Sequence, residues 1–170
     1  MALIEENGYY EINCDKALWN SDEQNDWSHR FTASLLKDID WLFETDIAIF
    51  MVEYKNGIIF QPKKAFNPHE DKYIDNIANK YYDTLHFLTL LEKTKPKNYI
   101  YVVEYPNSDS VSRKALRNKI VKKLPFKLQK ELSKTVKLIE SFDVLSIDEW
   151  NEKYPDFPIN RTSKPFSKTT

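Results

Sequence analysis

A chain of 170 residues, 41% apolar and 30% charged, has the length of one domain with a sizeable hydrophobic core. Its only glycines, Gly8 and Gly57, exclude a Gly-rich phosphate loop and with it the P-loop and Rossmann fingerprints; its only cysteine, Cys14, excludes an intramolecular disulfide framework and a Cys-based zinc site. Net charge is −1 but unevenly spread: residues 1–60 hold 12 acids and 4 bases, whereas residues 113–137 hold 10 bases and the single acid Glu131, a division suited to a metal at one place and a polyanion beside it.

In chain order, Tyr9-Tyr10-Glu11-Ile12 follows Gly8 as an opening strand or irregular arm. Ser21-Asp22-Glu23-Gln24 has the form of a capping box, and Trp27, Phe31 and Leu35 at intervals of four predict a helix from about Asp22 to Lys37 that buries this stripe. Trp41-Leu42-Phe43 and the apolar run Ile47–Val52 read as two strands, and Glu44-Thr45-Asp46 between them supplies turn chemistry for an antiparallel hairpin. After Asn56-Gly57, Ile58-Ile59-Phe60 extends the sheet in this reading.

From Lys72 to about Glu92 the period becomes helical, with Ile74, Ile77, Tyr81, Leu85, Leu88 and Leu91 in one stripe. Asn76 and Lys80, one turn apart, lie off that stripe and could contact DNA, with a solvated polar face the preferred reading. Asn98–Tyr105 is a strand bounded by Pro106, and a helix between two strands implies a parallel crossover. Asn107–Ser110 is a capping stretch ahead of a helix carrying Leu116, Ile120 and Leu124, which Pro125 stops; Phe126, Leu128 and Leu132 suggest a second short helix. Val136–Ile139 and Phe142–Leu145 supply further strand material, and Ser146-Ile147-Asp148-Glu149 is a capping box opening a helix through Trp150 towards Tyr154. Residues 1–159 form one domain in this reading, with 160–170 a polar tail.

The chemistry concentrates in the hairpin. A fold near Asp46 and Ile47 brings Asp40 opposite Glu53, and the two-residue period of a strand puts Glu53 and Lys55 on one face, with Val52 and Tyr54 on the other. Charged groups at the end of an apolar strand need partners or a metal. Two hard oxygen ligands suit Mg²⁺, and a lysine two residues along can orient a water. The three histidines, His29, His69 and His86, have no metal-ligand partner at helical spacing and read as packing or surface residues.

An Asp at the start of one strand followed by Glu-x-Lys at the end of the next resembles the PD-(D/E)XK nuclease superfamily, carried by Asp40, Glu53 and Lys55; Ile39 stands where the motif has Pro. A second Glu-x-Lys, Glu70-Asp71-Lys72, lies in a polar connection. The element order over residues 21–105 agrees with the superfamily's core. The resemblance implies an α/β fold with a mixed central sheet flanked by helices, in the order helix, strand, strand, helix, strand. It further implies a metal-dependent nuclease acting on DNA, with Mg²⁺ or Mn²⁺ held by Asp40, Glu53 and the Tyr54 backbone carbonyl, and Lys55 positioning the water. Glu23 and Asp26 are the candidates for one more acid from the preceding helix, against the reading that both simply favour the helix dipole.

Arg113, Lys114, Arg117, Lys119, Lys122, Lys123, Lys127 and Lys130 make a basic face that can neutralise phosphates, or equally a solvated helix surface. No apolar run approaches the ~20 residues that cross a bilayer, so the expected setting is the cytoplasm with no membrane partner. The alternative function is a catalytically inactive nuclease-like domain that binds nucleic acid or another protein. A homodimer would suit cleavage of both strands of a duplex, and the aromatic content, including Trp41 and Trp150, provides material for a protein partner.

Overall fold

Strand-forming runs alternate with helical ones along most of the chain, and the structure follows that alternation. The computed structural model describes residues 1–31, 36–59, 66–133 and 135–163. The elements are β1 (Ala2–Ile4), β2 (Tyr10–Asn13), β3 (Trp19–Ser21), α1 (Gln24–Phe31), β4 (Trp41–Glu44), β5 (Ile49–Asn56), α2 (Asp71–Leu90), β6 (Lys97–Glu104), α3 (Ser110–Val121), α4 (Phe126–Leu132), β7 (Ser141–Leu145), α5 (Ile147–Lys153) and β8 (Ile159–Arg161). The principal sheet has five strands in the order β3-β4-β5-β6-β7, antiparallel up to β5 and parallel from β5 through β7. A smaller antiparallel sheet has the order β1-β2-β8. No helix among the described residues is long and apolar enough to cross a membrane.

The predicted hairpin forms around Asp46 and Ile47. The Thr45 N–H donates to the Ala48 carbonyl at 2.8 Å, and the Thr45 hydroxyl accepts from the Ala48 N–H at 3.1 Å. Lys93 and Lys95 clamp Glu44 from outside at 2.6 and 2.8 Å. The crossover from β5 through α2 to β6 is parallel, as the intervening helix requires.

Two apolar layers lie on opposite faces of the large sheet. Ile49, Met51, Tyr99 and Tyr101 meet Ile77, Tyr81, Leu116 and Ile120 of α2 and α3. Phe50, Val52, Ile100 and Val102 meet Trp150 of α5 together with Leu3, Ile12 and Ile159 of the small sheet. The middle strands are thus buried on both sides, which explains their nearly unbroken apolar sequence.

Several expectations are corrected. Helix α1 begins at Gln24 without the capping box among the described residues: the Ser21 hydroxyl accepts from the Glu23 N–H, at 3.2 Å, and Ser21 itself closes β3. Trp27 is 47% exposed instead of buried, while the Phe31 side chain and Leu35 lie outside the described residues. The chain leaves the sheet after Asn56, whose side-chain oxygen accepts from the N–H groups of Ile58 and Ile59 and turns the backbone; Phe60 lies outside the described residues. Val136–Ile139 is not a strand. The Gln129 side-chain oxygen accepts from the N–H groups of Leu138 and Ile139, satisfying the backbone groups that a neighbouring strand would have taken. The boundary expected after residue 159 falls inside β8, which pairs with β2; residues 164–170 lie outside the described ones.

Candidate functional site

Strand register assembles the candidate site. Trp41 pairs with Val52, so Asp40, one residue before β4, stands beside Glu53. An Asp40 carboxylate oxygen accepts from the Tyr54 N–H at 2.8 Å, which fixes its direction. Glu53 points to the same face as Met51, towards α2, and is only 5% exposed. Lys55 follows on that face at the exposed end of the strand.

Helix α2 supplies the cation. Its stripe of Ile74, Ile77 and Tyr81 packs on the sheet, and Lys80, at the edge of that stripe, lays its stem inward. The Lys80 ammonium donates to both Glu53 oxygens, at 2.8 Å each. Sequence reading assigned Lys80 to a solvated face; the signal that could have corrected it is its position one residue before the buried Tyr81 and three after Ile77, from where a long stem can snorkel across the sheet.

The small sheet contributes a third wall. The Glu5 carboxylate accepts from the N–H groups of Asn7, Tyr9 and Tyr10, organising a turn in which Gly8 takes a φ of 76° that a residue with a Cβ would resist. This turn brings Glu6 and Asn7 to the rim of a pocket of about 260 Å³ lined also by Asp40, Glu53, Lys55 and Lys80. Phe66 closes one side against Gly57, where an added Cβ would lie 2.3 Å from the ring.

Two acids therefore face one ion-paired ammonium. Burial raises the Asp40 pKa, although Lys80 and the Tyr54 N–H pull it back. Burial drives Glu53 well above the ordinary carboxylate range, with the neighbouring Asp40 charge adding to it and Lys80 opposing. Burial works against the Lys80 ammonium, but Glu53 and Asp40 outweigh it and raise its pKa.

Because Glu53 binds its proton more tightly in the folded chain than in the unfolded one, its contribution to stability is complete below the ordinary carboxylate pKa and declines as pH rises above it. Asp40→Asn removes the charge beside Glu53 and keeps an oxygen for the Tyr54 N–H. Its expected effect is a rise in Tm of about 2–4 °C at pH 8, equivalent to about 1 kcal/mol, and a flatter Tm profile between pH 5 and 8. An unchanged slope in thermal melts across that range would remove the carboxyl pair as its source.

The other predicted site residues divide. Glu23 accepts from the Trp27 indole N–H at 3.3 Å and Asp26 is exposed on α1; neither lines the pocket. Arg113 turns inward as a buried residue whose guanidinium donates to both oxygens of Glu149 and to Ser108, so it belongs to the fold and not to a phosphate-binding face. Arg117 pairs with Asp143 and Lys123 with Asp75, and Lys119 donates to the His69 carbonyl at 3.4 Å. Lys114, Lys122, Lys127 and Lys130 are exposed.

No protein-family model, curated protein or solved structure matches the chain. The site is therefore judged on its own donors. Among the described residues no three His, Cys, Asp or Glu side chains gather as a metal cluster. Asp40 and Glu53 are hard oxygen donors of the type Mg²⁺ takes, one or two carboxylates being commonly completed by waters and substrate phosphate oxygens, while Lys80 bonds both Glu53 oxygens in this structure. The excess negative charge in this partly closed pocket is what a divalent cation, or a proton, would neutralise.

Proposed function

We propose that the Asp40–Glu53 pocket is the active site of a metal-dependent nuclease that hydrolyses phosphodiester bonds, with DNA as the expected polymer, on a domain similar to the PD-(D/E)XK nucleases. The observation that carries this reading is the meeting of two carboxylates from adjacent strands beside Lys55 on one face of β5. Asp40, Glu53 and the Tyr54 carbonyl would hold Mg²⁺ or Mn²⁺. Bound there, the cation would polarise the scissile phosphate and lower the pKa of a water.

The chain's own residues do the remaining work. The Tyr54 N–H holds Asp40 in one direction. Lys55, exposed at the pocket rim, orients the attacking water and offers positive charge to the phosphate. Lys114, Lys122, Lys127 and Lys130 contact backbone phosphates without reading bases, so binding should weaken steeply with salt.

The test is cleavage of supercoiled plasmid and single-stranded DNA in Mg²⁺, Mn²⁺ or EDTA by the wild type, Glu53→Gln and Lys55→Ala. Metal-dependent nicking that falls at least about a hundredfold in both variants is the expected result. Absence of cleavage on both substrates, together with no calorimetric metal binding, would overturn it. A second reading, a catalytically inactive nuclease-like domain that binds nucleic acid or a protein, draws on a different observation: Lys80 already satisfies both Glu53 oxygens.

A further inference from the structure

We infer that Lys80 is an exchangeable counter-ion, a tethered ammonium that competes with a divalent cation for Glu53 and sets how tightly the cation is held. This rests on the reading of Asp40 and Glu53 as metal ligands. Its own warrant is geometric.

The Lys80 nitrogen lies 2.8 Å from each Glu53 oxygen, astride the carboxylate where a cation would also have to approach. The Lys80 and Glu53 side chains are only 17% and 6% exposed, so water does little to screen the pair. An ammonium bound this way keeps the two acids together when no cation is present. It is anchored by a flexible four-carbon stem, however, and can be displaced without disturbing the helix that carries it. The pocket of about 260 Å³ leaves it room to move; Asn76, one turn before it on α2, lines the same cavity, with its side-chain oxygen accepting from the Lys37 ammonium at 2.6 Å. A cation that enters must therefore break two charge-assisted hydrogen bonds, and its affinity is lower by that amount. Lys55, on the same face of β5 and exposed, makes no comparable contact with Glu53 in the structure. The two lysines thus have separate tasks: Lys55 faces substrate, and Lys80 faces the metal ligands.

The experiment is isothermal titration of the full chain with Mg²⁺ alone and with Mn²⁺ alone at pH 8.5, comparing wild type, Lys80→Met, Lys80→Gln and Lys80→Arg after circular dichroism has verified folding. Lys80→Met keeps the stem and removes the charge, and is expected to bind either cation about tenfold more tightly or better. Lys80→Arg keeps a cation on Glu53 and is expected to bind no more tightly than wild type, so a Lys80→Met that fails to fold leaves this arm and Lys80→Gln to decide. Wild-type binding that Lys80→Met and Lys80→Gln leave unchanged or weaken would overturn the competition while leaving the metal-site reading intact. No binding by wild type or any variant would overturn both.

Discussion

Lys80→Met is expected to cost the fold about 3–5 kcal/mol at neutral pH, because it leaves the buried Glu53 carboxylate, beside the half-buried Asp40, without the ammonium that bonds both its oxygens. Lys80 holds both Glu53 oxygens, and Asp40 lies alongside with its own negative charge. Methionine fills the volume of the lysine stem, so the loss measured is mainly electrostatic and not a packing defect. At pH 7 this corresponds to a fall in Tm of roughly 10 °C or more. Two controls separate the charge from everything else. The loss should shrink as pH falls towards 5, where the unpaired carboxyls take up protons, and the double variant Lys80→Met/Glu53→Gln should recover most of it by removing the orphaned charge. Chemical denaturation at both pH values measures each term; a double variant no more stable than the single one would show that Glu53 is not what Lys80 neutralises.

Trp150→Ala is expected to be, with truncation of Trp41, among the largest packing changes in the described residues. The Trp150 ring is fully buried between the large sheet and the small one, edge-on to Phe50 at 6.5 Å and against Tyr154 at 4.5 Å, and its indole N–H donates to the Phe157 carbonyl at 2.7 Å. Truncation opens a cavity worth about 3–5 kcal/mol and also orphans the Phe157 carbonyl just ahead of β8. Amide exchange should therefore accelerate most at Ile159–Arg161 and across β2, before the parallel strands β5 and β6 are affected. Trp150→Phe, which keeps most of the ring but loses the donor, should cost roughly 1–3 kcal/mol. Equal exchange rates in all strands of the Trp150→Ala variant would argue that the two sheets unfold as one unit.

The hairpin was legible because turn chemistry and the two-residue strand period leave one register that buries Trp41 and Phe43 on one face and Leu42 on the other, and that register also pairs Asp40 with Glu53. Helices α2, α3 and α5 were legible for a similar reason: their apolar spacing and their caps at Asp109 and Ser146 act locally. What escaped depends on tertiary partners. Strand β8 has three residues, of which only Ile159 is buried, and it is a strand because β2 is there to receive it. Val136–Ile139 has the composition of a strand, but a glutamine side chain reaches its backbone first. Arg113 and Lys80 were grouped by charge and spacing, yet each is drawn inward by an acid distant in sequence, Glu149 and Glu53, and no local pattern announces such a partner.

The pairing of β8 with β2 has a consequence for the order in which the molecule is completed. Strand β2 emerges early in synthesis, but one of its two neighbours, Ile159–Arg161, is made only after the whole large sheet. Until then the turn that carries Glu5, Glu6 and Asn7 is held from the β1 side alone, without the bonds that Thr162 makes to the carbonyls of Tyr9 and Gly8. Asp40, Glu53 and Lys80 can thus come together on a nascent chain before the wall beside them is secured, and ribosome-bound intermediates halted short of residue 159 should hold the carboxylates in a pocket still open on that side.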